Sequence, residues 1–303
     1  MNKITYKDIE DILDINLSGQ LKSTIESFDL KYQELDKVER DAYLNDVVNV
    51  LLSDIQKSGQ HRISEWEKGW DENLELFKLS KDPIDLIPKY HGKRNLLKWK
   101  GDIIKPLVSN FDYKVHICFV DAILQHYLKD CSNVFEFGCG PAYHLIRLNQ
   151  WNNKIKYHGL DWTNSSQNII SLINQKLDLD ISSSNFDFFN PDYSLDIPEN
   201  SAVYTVAALE QIGTQFEDYV NFLIEKKPSI CIHFEPIDEL LDESSLIDNL
   251  TIKYFRKRNY LNGFLPYLEK LESENKIEII KKQRIYSGSY FIEGHSLVIW
   301  KIK

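Results

Sequence analysis

An apolar run that ends in two closely spaced glycines, residues 134–140, constrains the fold of this chain more than any other stretch. It reads Val-Phe-Glu-Phe-Gly-Cys-Gly and places Glu136 two positions before Gly138. The run predicts a buried strand and a tight turn, where Gly138 and Gly140 permit backbone angles and a close ligand approach that side chains would prevent. We expect a nucleotide-type cofactor loop, with a purely structural strand-to-helix turn as the alternative.

The residue three positions after Gly140 argues against a dinucleotide cofactor. The dinucleotide fingerprint needs glycine or alanine there, but this chain has Tyr143, whose ring would crowd a pyrophosphate at the helix N-terminus. The negative charge of Glu136 would repel phosphate and attract an ammonium group. The loop therefore favours S-adenosylmethionine, which has no phosphates and has a cationic amino-acid end.

Two further acids follow strand-like runs. Asp161 ends the second run, where an acid can hold both ribose hydroxyls, and Trp162 beside it could pack on the adenine or fill a gap. Asp187 lies among aromatic residues that include Phe188. Its carboxylate could accept a hydrogen bond from the adenine amino group, or it could cap a loop.

With these acids in this order, the chain resembles the class I S-adenosylmethionine-dependent methyltransferases over residues 110–303. Residues 136–140 match the family's acid-x-Gly-x-Gly loop, Asp161 its ribose acid and Asp187 its adenine-side acid. One departure is Ala142, which follows Pro141 and replaces the third glycine, a substitution that the family often tolerates. The resemblance implies S-adenosylmethionine as cofactor and the following core contacts: Glu136, Gly138, Cys139, Gly140, Asp161, Trp162, Asp187 and Phe188.

The pattern of apolar residues predicts an α/β fold. Buried strands are expected at 201–207 and 229–234 with a helix between them, and such alternation forms a parallel sheet. The runs 277–285 and 296–302 are joined by a segment too short for a crossover helix, which predicts an antiparallel hairpin. Together with the resemblance, this predicts a Rossmann-like seven-stranded sheet, mostly parallel with a C-terminal antiparallel hairpin.

Residues 1–110 are predicted to form a helical N-terminal region and lid, and residues 111–303 the methyltransferase core. Apolar residues between 44 and 55 recur at helical spacing. Segment 61–70, rich in tryptophan and charge, could cover the cofactor site or brace the helices onto the sheet. Tyr90, near the end of this region, is a further cofactor-binding candidate.

Methyl transfer from a sulfonium needs the acceptor atom, the methyl carbon and the sulfur in line, and an acceptor hydroxyl also needs a base. Ligands of such sheets bind beyond the carboxyl ends of the strands, which places His144, Glu210, Gln211, His233 and Glu235 near the acceptor. The catalytic candidates are His144, Glu210 and His233. Alternatively, His144 contacts the cofactor's methionine end, Glu210 is a substrate clamp or a helix cap, and His233 is a core histidine.

Charge and composition limit the possible partners. The formal net charge of -10 argues against a general nucleic-acid binder. Lys253, Arg256, Lys257 and Arg258 form a basic cluster that could bind an anionic substrate group, although a solvated helix face is the commoner reading. Cysteine and histidine spacing shows no metal motif, so metal-independent transfer is predicted. Without a signal-like N-terminus or an 18-residue apolar run, we expect a cytoplasmic enzyme with no membrane partner.

A narrower resemblance concerns the acceptor. Residues 66–70, 159–162, 208–211 and 296–300 are similar to those of bacterial methyltransferases proposed to act on sugars in surface-polysaccharide pathways. This resemblance implies a hydroxyl of a nucleotide sugar or glycan as the acceptor. The alternatives are O- or N-methylation of another small metabolite, an NAD-linked oxidoreductase, and a non-catalytic cofactor-binding module. The sequence predicts no oligomeric state.

Overall fold

The computed structural model describes residues 2–291 and 295–303, whose strands form two sheets. The strands are β1 Asn2–Lys3, β2 Lys31–Glu34, β3 Leu97–Trp99, β4 Asp102–Pro106, β5 Asn133–Phe137, β6 Lys156–Asp161, β7 Ile181–Asn185, β8 Ser201–Val206, β9 Ile230–Glu235, β10 Ile277–Gln283, β11 Ser287–Gly288 and β12 Ser296–Ile302. The helices are α1 Tyr6–Leu13, α2 Gly19–Ser27, α3 Lys37–Leu52, α4 Ile63–Ser80, α5 Phe111–Tyr127, α6 Tyr143–Trp151, α7 Asn164–Leu177, α8 Glu217–Lys226, α9 Leu246–Arg258 and α10 Phe264–Ser273.

The larger sheet confirms the predicted fold class. Its seven strands run in the order β10-β12-β9-β8-β5-β6-β7. The five strands from β9 to β7 are parallel, whereas β12 is antiparallel to both β9 and β10, which is the expected C-terminal hairpin. Strand order reverses at β5, and ligands bind at such a switch point beyond the carboxyl ends of the strands.

Helices cover both faces of this sheet, which explains the continuous apolar character of its central strands. On one face α5, α6 and α7 pack residues such as Leu145 and Ile170 into the core. On the other face α8 and α10 contribute Tyr219 and Leu268, among others. The edge strand β7 has one side toward solvent, and its residues 182–185 are exposed accordingly.

The N-terminal region contains the predicted helices and also a second sheet that the sequence did not indicate. Its strand order is β1-β2-β4-β3-β11, all antiparallel. The last strand comes from the C-terminal part of the chain, where Ser287 pairs with Trp99 and Gly288 with Lys98. Buried residues of both regions share one apolar cluster, so the boundary near residue 110 separates no independent core.

Within residues 2–291 and 295–303, no helix has both the length and the apolar character that crossing a bilayer requires.

Candidate active site

A cavity of about 580 Å³ lies at the carboxyl ends of β5, β8 and β9. Glu136 and Gly138 line it at the end of β5, Val206 at the end of β8 and Phe234 near the end of β9. Further walls come from the segment 88–94, helices α4 and α5, the end of α9 and the second sheet. A small molecule with several polar groups fits a cavity of this size.

The glycine loop after β5 has the geometry expected of a ligand cradle. Gly138 and Gly140 have φ angles of +74° and +50°, which favour glycine. A Cβ at position 138 would lie 2.4 Å from the Cβ of Ala208. The close approach of the loop after β8 is therefore a second reason for glycine at position 138. Cys139 is buried, and burial raises the pKa of its thiol well above the ordinary value. This thiol is therefore unreactive, and Cys139 contributes its backbone to the loop.

An acid and an imidazole lie together beside this loop. The carboxylate of Glu136 is buried, and its Oε1 is 2.8 Å from Nδ1 of His144. Its Oε2 accepts a hydrogen bond of 2.9 Å from the Tyr204 hydroxyl. Both Glu136 and His144 line the cavity. The structure thus joins a predicted cofactor residue to a predicted catalytic residue in one hydrogen-bonded pair.

Asp161 fixes the loop from the neighbouring strand. Its Oδ2 accepts from the backbone N–H of Gly140 at 2.9 Å, and its Oδ1 accepts from the backbone and hydroxyl of Thr163 at 2.9 and 2.7 Å. These three donors hold the buried carboxylate in place between the loop and the start of α7.

Asp161, Trp162, Asp187 and Phe188 are not among the described residues that line the cavity. Asp187 caps its own turn by accepting from the backbone of Phe189 at 2.9 Å, and it also accepts from Gln60 at 3.3 Å. Trp162 stacks on Phe189 with ring centroids 6.1 Å apart. Of these four, Asp161 bonds Gly140, and the ring of Phe188 would lie 3.5 Å from a Cβ at Gly138.

Helix α4 covers the glycine loop. A Cβ at Gly140 would lie 2.9 Å from the ring of Trp70, which lines the cavity together with Trp66. The carboxylate of Glu67 accepts from the backbone N–H groups of Asn164 and Ser165 at 2.9 and 2.8 Å, at the start of α7. The tryptophan-rich segment is thus fixed to the core by a helix-capping carboxylate.

Glu210 faces the cavity from the turn after β8. Its side chain is buried, its Oε1 accepts from Gln211 at 2.8 Å, and its Oε2 has no hydrogen-bond partner among the described residues. Burial and the nearby carboxylate of Glu235 raise the pKa of Glu210 to about 8. Glu235 itself accepts from the backbone of Ala208 at 3.0 Å and of Glu210 at 3.3 Å. A carboxyl group that titrates near neutral pH is suited to proton transfer.

The structure does not bring His233 to the cavity. Its side chain is fully buried in β9, with Nδ1 3.0 Å from the Thr205 hydroxyl and its ring 5.2 Å from that of Phe264. Burial lowers the pKa of His233 to about 3. A neutral histidine enclosed by the core has no access to a substrate, so the core alternative describes it and the catalytic interpretation is dropped.

Sequence reasoning missed three histidines that line the cavity with His144. The ring of His116 lies 5.2 Å from His295, 5.5 Å from His91 and 5.8 Å from His144. His91 is 3.3 Å from the carboxylate of Asp112. No sequence pattern links these positions, because the fold alone brings them together. Among the described residues no group of three or more His, Cys, Asp or Glu is arranged to hold a metal ion.

Tyr90 also lines the cavity, with 51% of its surface exposed. The predicted site residues therefore form two groups. Those at the cavity are Tyr90, Glu136, Gly138, Cys139, Gly140, His144, Glu210 and Gln211. Those beside or behind it are Asp161, Trp162, Asp187, Phe188, His233 and Glu235.

No protein-family model and no curated protein sequence matches the chain. Among solved structures, the [4+2]-cyclase SpnF is 11% identical and matches 82% of this chain and 97% of its own at a TM-score of 0.51. The 16S rRNA methylase ArmA is 18% identical over 77% of this chain and 98% of its own, at a TM-score of 0.46. Geranyl diphosphate C-methyltransferase from Streptomyces coelicolor A3(2) is 11% identical and matches 66% of this chain and 86% of its own, at a TM-score of 0.45. The likeness to the cyclase shows a shared fold.

Proposed function

We propose that this chain is an S-adenosylmethionine-dependent methyltransferase that acts on a small molecule. The observation that supports this most is the position of the glycine loop. Four residues of the loop line a cavity of about 580 Å³, namely Glu136, Gly138, Cys139 and Gly140. Glu210, a carboxyl group able to take up a proton, lines the same cavity. A cofactor loop and a proton acceptor that face one enclosed space suit a group transfer shielded from water.

The residues of the loop fit this cofactor. Gly138 and Gly140 line the cavity, and the buried carboxylate of Glu136 offers a negative charge to an ammonium group. When bound, the cofactor supplies an electrophilic methyl group on its sulfonium. We assign Glu136 and His144 to its amino-acid end, and Asp161 to the ribose side, where it holds the loop in place. Tyr143 still argues against a dinucleotide.

The described residues around the cavity can perform the remaining tasks. Trp66 and Trp70 of α4 and Tyr90 exclude water from the space above the loop. Glu210 accepts the proton that an acceptor hydroxyl loses, because its pKa of about 8 is close to working pH and its Oε2 is not engaged by another described residue. His144 is held by Glu136 and orients ligands at the loop side of the cavity.

The finer part of the proposal concerns the acceptor. We propose O-methylation of a sugar or nucleotide sugar, as the narrower sequence resemblance implies. A hydroxyl acceptor needs a base, and Glu210 provides one at the cavity wall. Enclosure by α4 and the second sheet suits a small molecule better than a nucleic acid, as does the formal net charge of -10.

Calorimetric titration tests the proposal first. The full chain is titrated with S-adenosylmethionine, S-adenosylhomocysteine and NAD in parallel. We expect saturable binding of both sulfur compounds and none of NAD, and binding of NAD alone would contradict the proposal. Release of S-adenosylhomocysteine is then measured with nucleotide sugars, free sugars and small amines as acceptors. Binding without turnover of any of these acceptors would instead support a non-catalytic module.

A further inference from the structure

We propose that three arginines, Arg62, Arg94 and Arg258, form a subsite for a phosphate or diphosphate group of the methyl acceptor. This inference rests on the proposed function and specifies the chemical class of its substrate. All three side chains line the cavity, and they come from separate elements. Arg62 precedes α4, Arg94 lies in the segment before β3, and Arg258 ends α9.

The cavity is cationic although the chain is acidic. The formal net charge of the chain is -10. Among the described lining residues, five are lysine or arginine and three are carboxylic acids. One of these acids, Glu210, has a pKa raised to about 8 by burial and by Glu235, so it is largely uncharged at pH 7. A positive wall in an acidic protein concentrates anions at that wall.

A tyrosine lines the cavity together with the three arginines. Tyr254 lies on α9. Burial raises the pKa of its hydroxyl, so the group stays protonated near neutral pH. The hydroxyl can therefore donate a hydrogen bond to an anion in the cavity.

Aromatic rings contact all three arginines, and the guanidinium of Arg62 lies 5.4 Å from the ring of Trp66. The guanidinium of Arg94 lies 5.0 Å from the ring of Tyr290 and 5.3 Å from that of Phe291. Phe291 in turn stacks on Tyr254, with centroids 5.1 Å apart. Such contacts fix the plane of a guanidinium and leave its N–H groups available. None of the ion pairs among the described residues involves Arg94.

Arg258 has donor capacity that the protein does not use. Its Nη1 donates to the backbone oxygen of Gln56, and its charge lies over the ring of Tyr260 at 5.7 Å. Its Nε is buried without a hydrogen-bond partner in the described part of the chain. A buried cationic donor without an acceptor is costly, and a bound oxyanion would satisfy it. Arg62 contributes less, because it already pairs with Glu65 at 2.9 Å and bonds Gln211 at 3.2 Å.

The number of guanidinium groups favours a phosphate over a carboxylate. A carboxylate carries one negative charge and engages one guanidinium fork, whereas a diphosphate presents more charge and several oxygen atoms. Arginine suits such groups because its planar fork donates two parallel hydrogen bonds. A nucleotide sugar and a sugar phosphate both contain this chemistry, and the test below distinguishes them.

The four residues of the basic cluster in segment 253–258 do not all face the cavity. Arg258 lines the cavity, while Arg256 of the same helix is 61% exposed and lies 3.4 Å from Asp238 and 3.6 Å from Glu243. Lys257 donates to backbone oxygens at the end of α3. Only one member of this cluster therefore faces the proposed subsite, and Arg256 offers a control of equal charge two residues away.

The experiment is calorimetric titration of the full chain with inorganic pyrophosphate, with and without saturating S-adenosylhomocysteine. We expect saturable binding that Arg94→Gln and Arg258→Gln each weaken by about tenfold or more, as expected for loss of a charge-assisted hydrogen bond. Arg256→Gln should bind pyrophosphate as the parent chain does. All variants should retain their affinity for S-adenosylhomocysteine, which shows that they are folded. If Arg258→Gln does not fold, Arg94→Gln alone tests the subsite.

Further arms use inorganic phosphate, sodium acetate, and UDP as a nucleoside diphosphate. Binding of UDP at least as tight as that of pyrophosphate indicates a nucleotide-linked acceptor, and tighter binding of phosphate indicates a sugar phosphate. The subsite is overturned if pyrophosphate does not bind, if acetate binds equally well, or if Arg256→Gln weakens binding as much as Arg258→Gln. Absence of S-adenosylhomocysteine binding would instead overturn the proposed function, so the two failures are distinguishable.

Discussion

The backbone N–H of Gly140 donates to the carboxylate of Asp161 at 2.9 Å, and this bond ties the glycine loop after β5 to the end of β6. The second oxygen of the carboxylate is taken by two donors of Thr163. Asp161 therefore shapes the loop before it meets any ligand. A substitution at this position acts on cofactor affinity through the position of the loop as well as through a lost contact.

We expect Asp161→Asn to weaken binding of S-adenosylhomocysteine by about 1.5–3 kcal/mol, the range for a hydrogen bond to a charged group. The amide nitrogen replaces either the oxygen that accepts from Gly140 or the oxygen that accepts twice from Thr163, so at least one of these bonds is lost. Calorimetric titration measures the effect. Asp192→Asn is the control, because Asp192 only caps an exposed turn at Ser194. Unchanged affinity in a folded Asp161→Asn variant would refute the assigned role.

Gly138→Ala should destabilise the fold by about 1–3 kcal/mol, since the new Cβ would lie 2.4 Å from Ala208 and the φ angle of +74° disfavours alanine. Gly69→Ala is the matched control. Gly69 lies within α4 with open space around its Cβ position, and alanine there should stabilise by about 0.5–1 kcal/mol. Urea unfolding midpoints of the two variants should shift in opposite directions, and a common direction would contradict this account.

Glu210 should make the stability of the protein depend on pH. Burial and Glu235 raise its pKa to about 8 from an ordinary value of 4.5, so between these values the folded state binds more protons than the unfolded state. The free energy of unfolding should therefore fall as pH rises from about 5 to 8. Glu210→Gln should lessen this slope in chemical unfolding measured at several pH values. An unchanged slope would show that the carboxyl does not titrate in this range.

Glu210 should also govern the pH dependence of catalysis. As the proposed base it is active when deprotonated, so kcat/KM should rise with pH toward about 8, and Glu210→Gln should lower kcat by about 100-fold or more. Glu239→Gln provides the control. Glu239 also has a pKa raised to about 7 by burial, but it bonds the backbone of Gly263 and is not a described lining residue of the cavity. Equal losses in the two variants would argue against a base.

Glu67→Gln should loosen α4 from the core. The change removes a charged acceptor from the N-terminus of α7, where two backbone N–H groups donate to it, at a cost of about 1–3 kcal/mol. Hydrogen exchange in α4 should speed up. Glu72→Gln, which loses only an exposed ion pair of 3.0 Å with Lys89, should leave exchange nearly unchanged. Equal exchange in both variants would show that the capping carboxylate does not fix this helix.

The sequence predicted the parallel sheet and its hairpin because strands such as β5, β8 and β9 are apolar runs with a local signature. The edge strand β7, Ile-Ser-Ser-Ser-Asn, has no such pattern. The second sheet had no such signature, since its strands have two to five residues and its last member, β11, pairs across nearly two hundred positions with β3. Those pairings arise from tertiary contacts rather than from local pattern.

The same distinction applies to the site. Residues 136–140 are recognisable because the glycine turn needs specific residues at fixed spacing. His91, His116 and His295 meet only because α5, the segment before β3 and the residue before β12 converge on the cavity. His233 could not be separated from a catalytic histidine in sequence, because strand alternation does not reveal what lies beyond the strand end.

The pairing of Ser287 and Gly288 with β3 joins the C-terminal part of the chain to the wall of the cavity that the second sheet forms. Because this wall contains strands from both regions of the chain, the N-terminal region cannot move away from the cavity as a rigid unit without breaking that pairing. Removal of residues 1–110 would not expose a free-standing enzyme, because it would leave β11 without its partner strand and the glycine loop without its cover.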